Sequence, residues 1–186
     1  HHNMCGIYGF LSIEPLPAKI NKLQIMGNTL QHRGPDQKGK YVDSEIALGI
    51  QRLSVIDPDK GNQPIFSNNK SLVIVHNGEV YNYKTLRKEL ASRGYHFETN
   101  TDTEVIVNLY QEKGADCLQY LNGMFAFAIY NIENKELFIA RDRFGIKPLY
   151  YFRDSKRFIF SSELKGIQVC HDIGLNISFE AIDLYL

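Results

Sequence analysis

No tryptophan occurs among the 186 residues, and cysteine is scarce: Cys5, Cys117 and Cys170 are odd in number and far apart. Three such cysteines make neither a disulfide framework nor a metal-binding spacing, so a reducing, cytoplasmic setting is the default expectation. There is no excess charge of either sign, because Lys plus Arg and Asp plus Glu are both 21. That balance removes the electrostatic case for nucleic acid or an anionic membrane as partner. No apolar run approaches the roughly 18 residues of a membrane span. A secretory signal, internal repeats, low-complexity segments and a Ser-Gly-Gly type pyrophosphate loop for ATP are all missing from the sequence. What remains is the length of one ordinary domain, able to bury about 70% of its unfolded surface without staples.

The apolar pattern alternates between two periods. Cys5 to Ser12 reads as a strand, and Lys19 to Gln31 as a helix with Ile20, Leu23, Met26 and Leu30 on one face. Ile46 to Ile56 is apolar on both parities, as in a strand covered on both faces, and Leu72 to Val75 is a second buried strand. Lys84 to Arg93 and Glu104 to Leu121 read as helices, with Thr101 and Glu104 at capping-box spacing. Strands return at Phe125 to Tyr130, Leu137 to Ala140, Leu149 to Phe152 and Phe158 to Ser161. Two-sided apolar strands around a helical middle predict an α+β protein with two mainly antiparallel sheets face to face and helices outside. A last helix is expected over Ser178 to Leu186. His1 to Asn3 read as a tag remnant, residues 4–186 as one domain, and the abrupt end as a fragment of a longer parent.

The most informative stretch is Met4-Cys5-Gly6-Ile7. Removal of an initiator methionine would leave Cys5 with both a thiol nucleophile and a free α-amine as its base. Against this stands a buried small residue opening a strand, which is what most lone cysteines are. Asn77-Gly78 is the strongest short hairpin signal, and turn chemistry favours that interpretation. The alternative is an oxyanion hole made of a side-chain amide and a backbone N–H. Arg52 is either a structural ion pair or a bidentate clamp on a substrate carboxylate. Asp102 is either a first-turn acid favoured by the helix dipole or a ligand for a substrate ammonium, and Glu79 is open in the same way. His76 reads as a hydrogen-bonded structural residue, Cys117 and Cys170 as packing residues, and Gly61 to Pro64 as a mobile loop. His32-Arg33-Gly34-Pro35-Asp36 forms a loop whose chemistry assigns no role.

These segments occur in order along the chain with Arg52 to Asp57, Asn77 to Asn82, Thr101 to Glu104, Gly123 to Ala128 and Ala140 to Tyr150. Together they resemble the class II glutamine amidotransferase domain of the glutamine-hydrolysing asparagine synthetases, from Met4 to the end. The related purine-pathway and glucosamine-6-phosphate-synthase domains typically read His-Thr-Arg-Tyr or His-Thr-Arg-Trp where this chain has Ile50-Gln51-Arg52-Leu53. The resemblance implies the N-terminal-nucleophile hydrolase fold, a four-layer αββα sandwich. It implies that Cys5 attacks the carboxamide of glutamine, that Asn77 and Gly78 hold the oxyanion, and that Arg52 binds the α-carboxylate. Asp102 with Glu79 would take the α-ammonium, and main-chain groups at Leu53, Val55 and Ile56 would complete the pocket. The expected partners are glutamine and a C-terminal synthetase domain of the same chain, with no nucleic acid, no membrane, and compatibility with a homodimer. No cofactor is expected for this domain; ATP and magnesium would belong to the synthetase domain. Two alternatives stay open from sequence: an acceptor of ammonia other than aspartate, and a silent binding module.

Overall fold

A computed structural model describes residues 4–53, 57 and 60–170. In chain order the elements are β1 (Gly6–Leu11), α1 (Leu16–Thr29), β2 (Gln37–Val42), β3 (Ile46–Arg52), β4 (Ile65–Phe66), β5 (Leu72–Val80), α2 (Tyr83–Ser92) and α3 (Asp102–Lys113). A 3₁₀ segment over Gly114–Gln119 follows, then β6 (Gly123–Asn131), β7 (Glu136–Arg141), β8 (Tyr150–Arg153), β9 (Phe158–Ser161) and α4 (Leu164–Gln168). The strands form a five-stranded sheet, β2-β3-β1-β9-β8, and a four-stranded sheet, β4-β5-β6-β7. Every neighbouring pair is antiparallel.

Strand alternation sorts the core into layers. On β5, Val73 and Val75 face the other sheet and pack with Ile7, Ile46, Leu48, Ile50 and Phe160. The intervening Leu72 and Ile74 face α2 and α3, among Leu86, Leu90, Val105 and Leu109. On β1, Ile7 points between the sheets while Tyr8 and Phe10 meet Leu23, Met26 and Leu30 of the α1 side. Helix, sheet, sheet and helix therefore stack as the αββα sandwich expected from the two-sided strands.

Several boundaries differ from the sequence pattern. The buried stripe of α1 is Lys19, Leu23, Met26 and Gly27, whereas Ile20 is 39% exposed. Lys19 reaches the β2–β3 turn, where its ammonium donates to the carbonyls of Asp43 and Ser44. Asn77-Gly78 makes no hairpin. β5 continues to Val80, with Asn77 opposite Ala126 and Gly78 opposite Phe125, so pairing with β6 outweighs the local turn preference. The Glu104 to Leu121 helix breaks at Gly114, which has φ 58° and starts the 3₁₀ segment. The capping box is half made: Thr101 Oγ1 accepts from Glu104 N at 3.3 Å, but the Glu104 carboxylate bonds the N–H groups of Glu98 and Thr99. Gln63 is buried and tied to β5 through His76, so that end of the Gly61 to Pro64 loop is anchored. The helix expected over 178–186 lies outside the described residues.

Candidate active site

The site forms where β1 begins, β3 ends, β5 runs past the short β4 and α3 starts. One pocket of about 150 Å³ is lined by Met4, Cys5, Arg52, Leu53, Asn77, Gly78, Glu79 and Asp102, together with Gly61, Gln63, His76, Thr101, Thr103, Met124 and Lys147. Residues as far apart in sequence as Met4 and Lys147 thus meet through the fold. Of the residues to which the resemblance gave a role, Val55 and Ile56 lie outside the described residues, and Cys5, Arg52, Leu53, Asn77, Gly78, Glu79 and Asp102 all line this pocket.

Cys5 precedes the first paired residue of β1, Gly6, which lies opposite Gln51. Its half-buried Sγ accepts from Leu53 N at 3.3 Å and lies 3.6 Å from Leu53 O. Burial pushes the thiol up. The Leu53 N–H and the nearby cations Arg52, Lys147 and Arg33 act in the opposite direction. The loop to which chemistry assigned no role positions this residue: Arg33 Nε donates to the Cys5 carbonyl at 3.0 Å. Gly34 lies so close to β3 that a Cβ there would fall 2.3 Å from Gln51 O.

Asn77 is 1% exposed, and its Nδ2 has no hydrogen-bond partner among the described residues. A buried amide donor left unpaired in a pocket is costly unless something fills the position. The N–H groups of β5 alternate in direction. Leu72 N goes to Ser67 Oγ, His76 N to Gln63 Oε1 and Val80 N to Asp102 Oδ2, all away from β6. Gly78 N, of the same parity, is therefore aimed at the gap between Gln63 and Asp102, inside the pocket. Gly78 has φ 154°, and a Cβ there would lie 2.2 Å from Met124 O, so glycine alone fits.

The Arg52 guanidinium donates from Nη1 to Asn62 Oδ1 at 3.2 Å and from Nη2 to Asp57 O at 3.1 Å, which holds it at the pocket wall. Asp102 is the first residue of α3 and is 4% exposed. It is a first-turn acid as well as a pocket residue. Glu79 lines the same pocket from an exposed position.

Lys147 is a buried cation that sequence reasoning missed. Its Nζ lies 3.1 Å from Met4 Sδ. Burial and Arg33 lower its pKa, while Cys5, Asp142 and Glu79 favour its charge. Asp142 shapes its loop, accepting from Phe125 N, Ile146 N and Lys147 N. The Asp-Arg-Phe-Gly-Ile-Lys run carried a signal for this in its charged residues around a turn glycine. His76 is hydrogen-bonded through Nδ1 to Thr103 Oγ1 at 3.0 Å, as a structural histidine would be, and burial lowers its pKa. Among the described residues no group of three or more His, Cys, Asp or Glu could hold a metal ion, and no helix is long and apolar enough to cross a membrane.

Residues 4–186 match the family model described as a glutamine amidotransferase domain. The chain is similar to asparagine synthetase [glutamine-hydrolyzing] 1 of Bacillus subtilis, 39% identical over 98% of this chain and 29% of that protein. It is similar to putative asparagine synthetase [glutamine-hydrolyzing] 2 of Methanocaldococcus jannaschii, 40% identical over 98% of this chain and 39% of that protein. The asparagine synthetase B of Escherichia coli is 40% identical over 91% of this chain and 31% of its own length. This chain thus spans well under half the length of these curated relatives. Among solved structures, the glutamine phosphoribosylpyrophosphate amidotransferase of B. subtilis superposes with a TM-score of 0.72 at 25% identity, covering 89% of this chain and 43% of that one.

Proposed function

The chain belongs to the glutamine amidotransferase domain family, and from that premise we propose that it hydrolyses glutamine to glutamate and ammonia with Cys5 as nucleophile. The observation that carries this is the buried, unpartnered Asn77 Nδ2 in the same pocket as the Cys5 thiol. A thiol alone describes any buried cysteine. A thiol facing an idle buried donor describes acyl transfer.

Cys5 acts after removal of the residues before it, when its own amine can accept the thiol proton. A free α-amine titrates at about 7.7–8.0 and an ordinary thiol at about 8.5. Burial raises the Cys5 thiol, while the Leu53 N–H and nearby cations work against that rise, and the α-amine is the base placed to take its proton. The thiolate attacks the carboxamide carbon, and the carbonyl oxygen becomes an oxyanion between Asn77 Nδ2 and Gly78 N–H. The carbon–nitrogen bond then breaks, and the leaving amine takes the proton held by the α-ammonium of Cys5 and departs as ammonia. Water, deprotonated by the same amine, cleaves the γ-glutamyl thioester and releases glutamate. Arg52 clamps the substrate α-carboxylate, and Asp102 with Glu79 the α-ammonium; glutamine binding is assigned also to Leu53, Val55 and Ile56. None of these steps draws on ATP or magnesium, which we assign to a synthetase domain joined to this one. The similarity to asparagine synthetases supports aspartate as the ammonia acceptor in such a protein. The cytoplasm is the compartment in which the thiols of Cys5, Cys117 and Cys170 stay reduced.

Incubation of the Cys5-exposed protein with glutamine, without ATP, should give glutamate and ammonia in equal amounts. Acid quenching should leave a γ-glutamyl group on the Cys5 peptide, detectable by mass spectrometry, and Cys5→Ala should abolish both. Ammonia release that survives Cys5→Ala would exclude this mechanism.

A further inference from the structure

We propose that Glu163 is a positioning residue for the Cys5 nucleophile, acting through Arg33; this rests on the assignment of Cys5 as nucleophile above. Once Cys5 is the first residue, no preceding peptide holds it. It also lies before the first paired residue of β1. Where its Cα, which carries both amine and thiol, sits relative to the strand depends on the orientation of the peptide unit joining it to Gly6. The group that holds the carbonyl of that unit therefore places the Cα from which base and nucleophile extend. Arg33 Nε does this at 3.0 Å.

Arg33 is in turn held by Glu163. Its Nη1 donates to Glu163 Oε1 at 3.0 Å, while its Nη2 is buried without a partner among the described residues. Glu163 is itself clamped, by His32 Nε2 at 2.9 Å on Oε1 and by Lys165 Nζ at 3.0 Å on Oε2. The residue before it extends the same anchorage: Ser162 Oγ accepts from Ile7 N at 3.0 Å, and Ser162 N donates to Ile7 O at 2.9 Å. The end of β9 thus fastens the start of β1 at two successive points, by main chain at Ile7 and through Arg33 at Cys5. Burial would raise the Glu163 carboxyl, but the bonds from Arg33, Lys165 and His32 outweigh it and hold the value at about 2. Glu163 therefore stays an acceptor for Arg33 at every pH where a thiol and an amine exchange protons.

A purely structural ion pair would affect stability and leave chemistry alone, so the test reads chemistry in the Cys5-exposed protein. Glu163→Ala should lower kcat for glutamine by about 10–100-fold with KM unchanged, the scale of a small misplacement of a reacting group. In an Arg33→Met background the same change should have no further effect, because its route is already cut. Alkylation of Cys5 by iodoacetamide should slow in parallel. If Glu163→Ala does not fold, Glu163→Gln, which keeps an oxygen at the same reach without the charge, should show the same pattern with a smaller drop. An unchanged kcat, a rise in KM alone, or an equal loss in the Arg33→Met background would overturn the proposal. Absence of glutamine hydrolysis by the wild type would instead refute the proposed function, and the alkylation rates would still report on Glu163.

Discussion

Asn77, Gly78 and Asp102 line one pocket but would act at different moments of the reaction. In the proposed mechanism the Asn77 amide would be idle until charge develops on the carbonyl oxygen, so Asn77→Ala should lower kcat by roughly 10²–10³-fold with little change in KM. In the proposed role Asp102 would touch a part of the substrate that does not react, so Asp102→Asn should raise KM for glutamine more than it lowers kcat. Steady-state kinetics on the two variants separates them, and the reverse pattern would mean that positioning and chemistry have been exchanged. Gly78→Ala tests geometry: with φ 154° and a Cβ 2.2 Å from Met124 O, it should lose activity and about 1–3 kcal/mol of stability, measured by urea denaturation. Sequence order brought these residues to notice, but their local context was misleading. Asn-Gly is a turn signal, and only the pairing of β5 with β6 shows that both residues lie in a strand. Lys147 and Glu163 escaped notice because a lone charge in a loop looks like solvated surface until the fold buries it.

Among the elements, α3 would link stability to the proposed binding of glutamine, because its first turn lines the pocket. Thr101 caps it through Glu104 N, and Asp102 is its first residue. Thr101→Ala should cost about 1 kcal/mol in a denaturation midpoint and also raise KM for glutamine, since the first turn carries Asp102. A stability loss with KM unchanged would detach the cap from the site. The long elements were legible because their apolar periods are sustained: the alternation on β6 and the stripe on α2 both hold. β2 was not legible, since Gln-Lys-Gly-Lys-Tyr-Val half-buries a polar edge strand of its sheet. The two-residue β4 and five-residue α4 are too short to show a period. Ile20 fitted a helical stripe by spacing, yet Lys19 took the inner position because the carbonyls of Asp43 and Ser44 satisfy its ammonium.

For the whole molecule, His76 and Glu163 couple folding to pH in separate windows. Burial holds His76 below its ordinary value of 6.5, so the folded protein keeps it neutral where the unfolded chain already binds a proton. Stability should be level above about pH 6.5 and fall below it by up to about 1.4 kcal/mol per pH unit, until the folded value is reached. Urea denaturation at pH 7.5 and 5.5 checks this, and His76→Phe should flatten the difference. Glu163 acts in a lower window. Its folded value of about 2 lies below the ordinary 4.5, so its contribution is full above about pH 4.5 and is lost as pH falls toward 2. The sandwich itself was legible because two-sided apolar strands leave few other arrangements. The meeting of four strand and helix ends in one pocket was not, since no local pattern encodes which ends coincide.

The most direct test of the nucleophile and its base is glutamate release from glutamine, compared between protein that begins at Cys5 and protein in which Met4 still precedes it. A thiol that relies on its own α-amine should turn over glutamine only in the first form. Equal activity in both would contradict the α-amine mechanism, because in the second form that nitrogen is a peptide and cannot accept a proton.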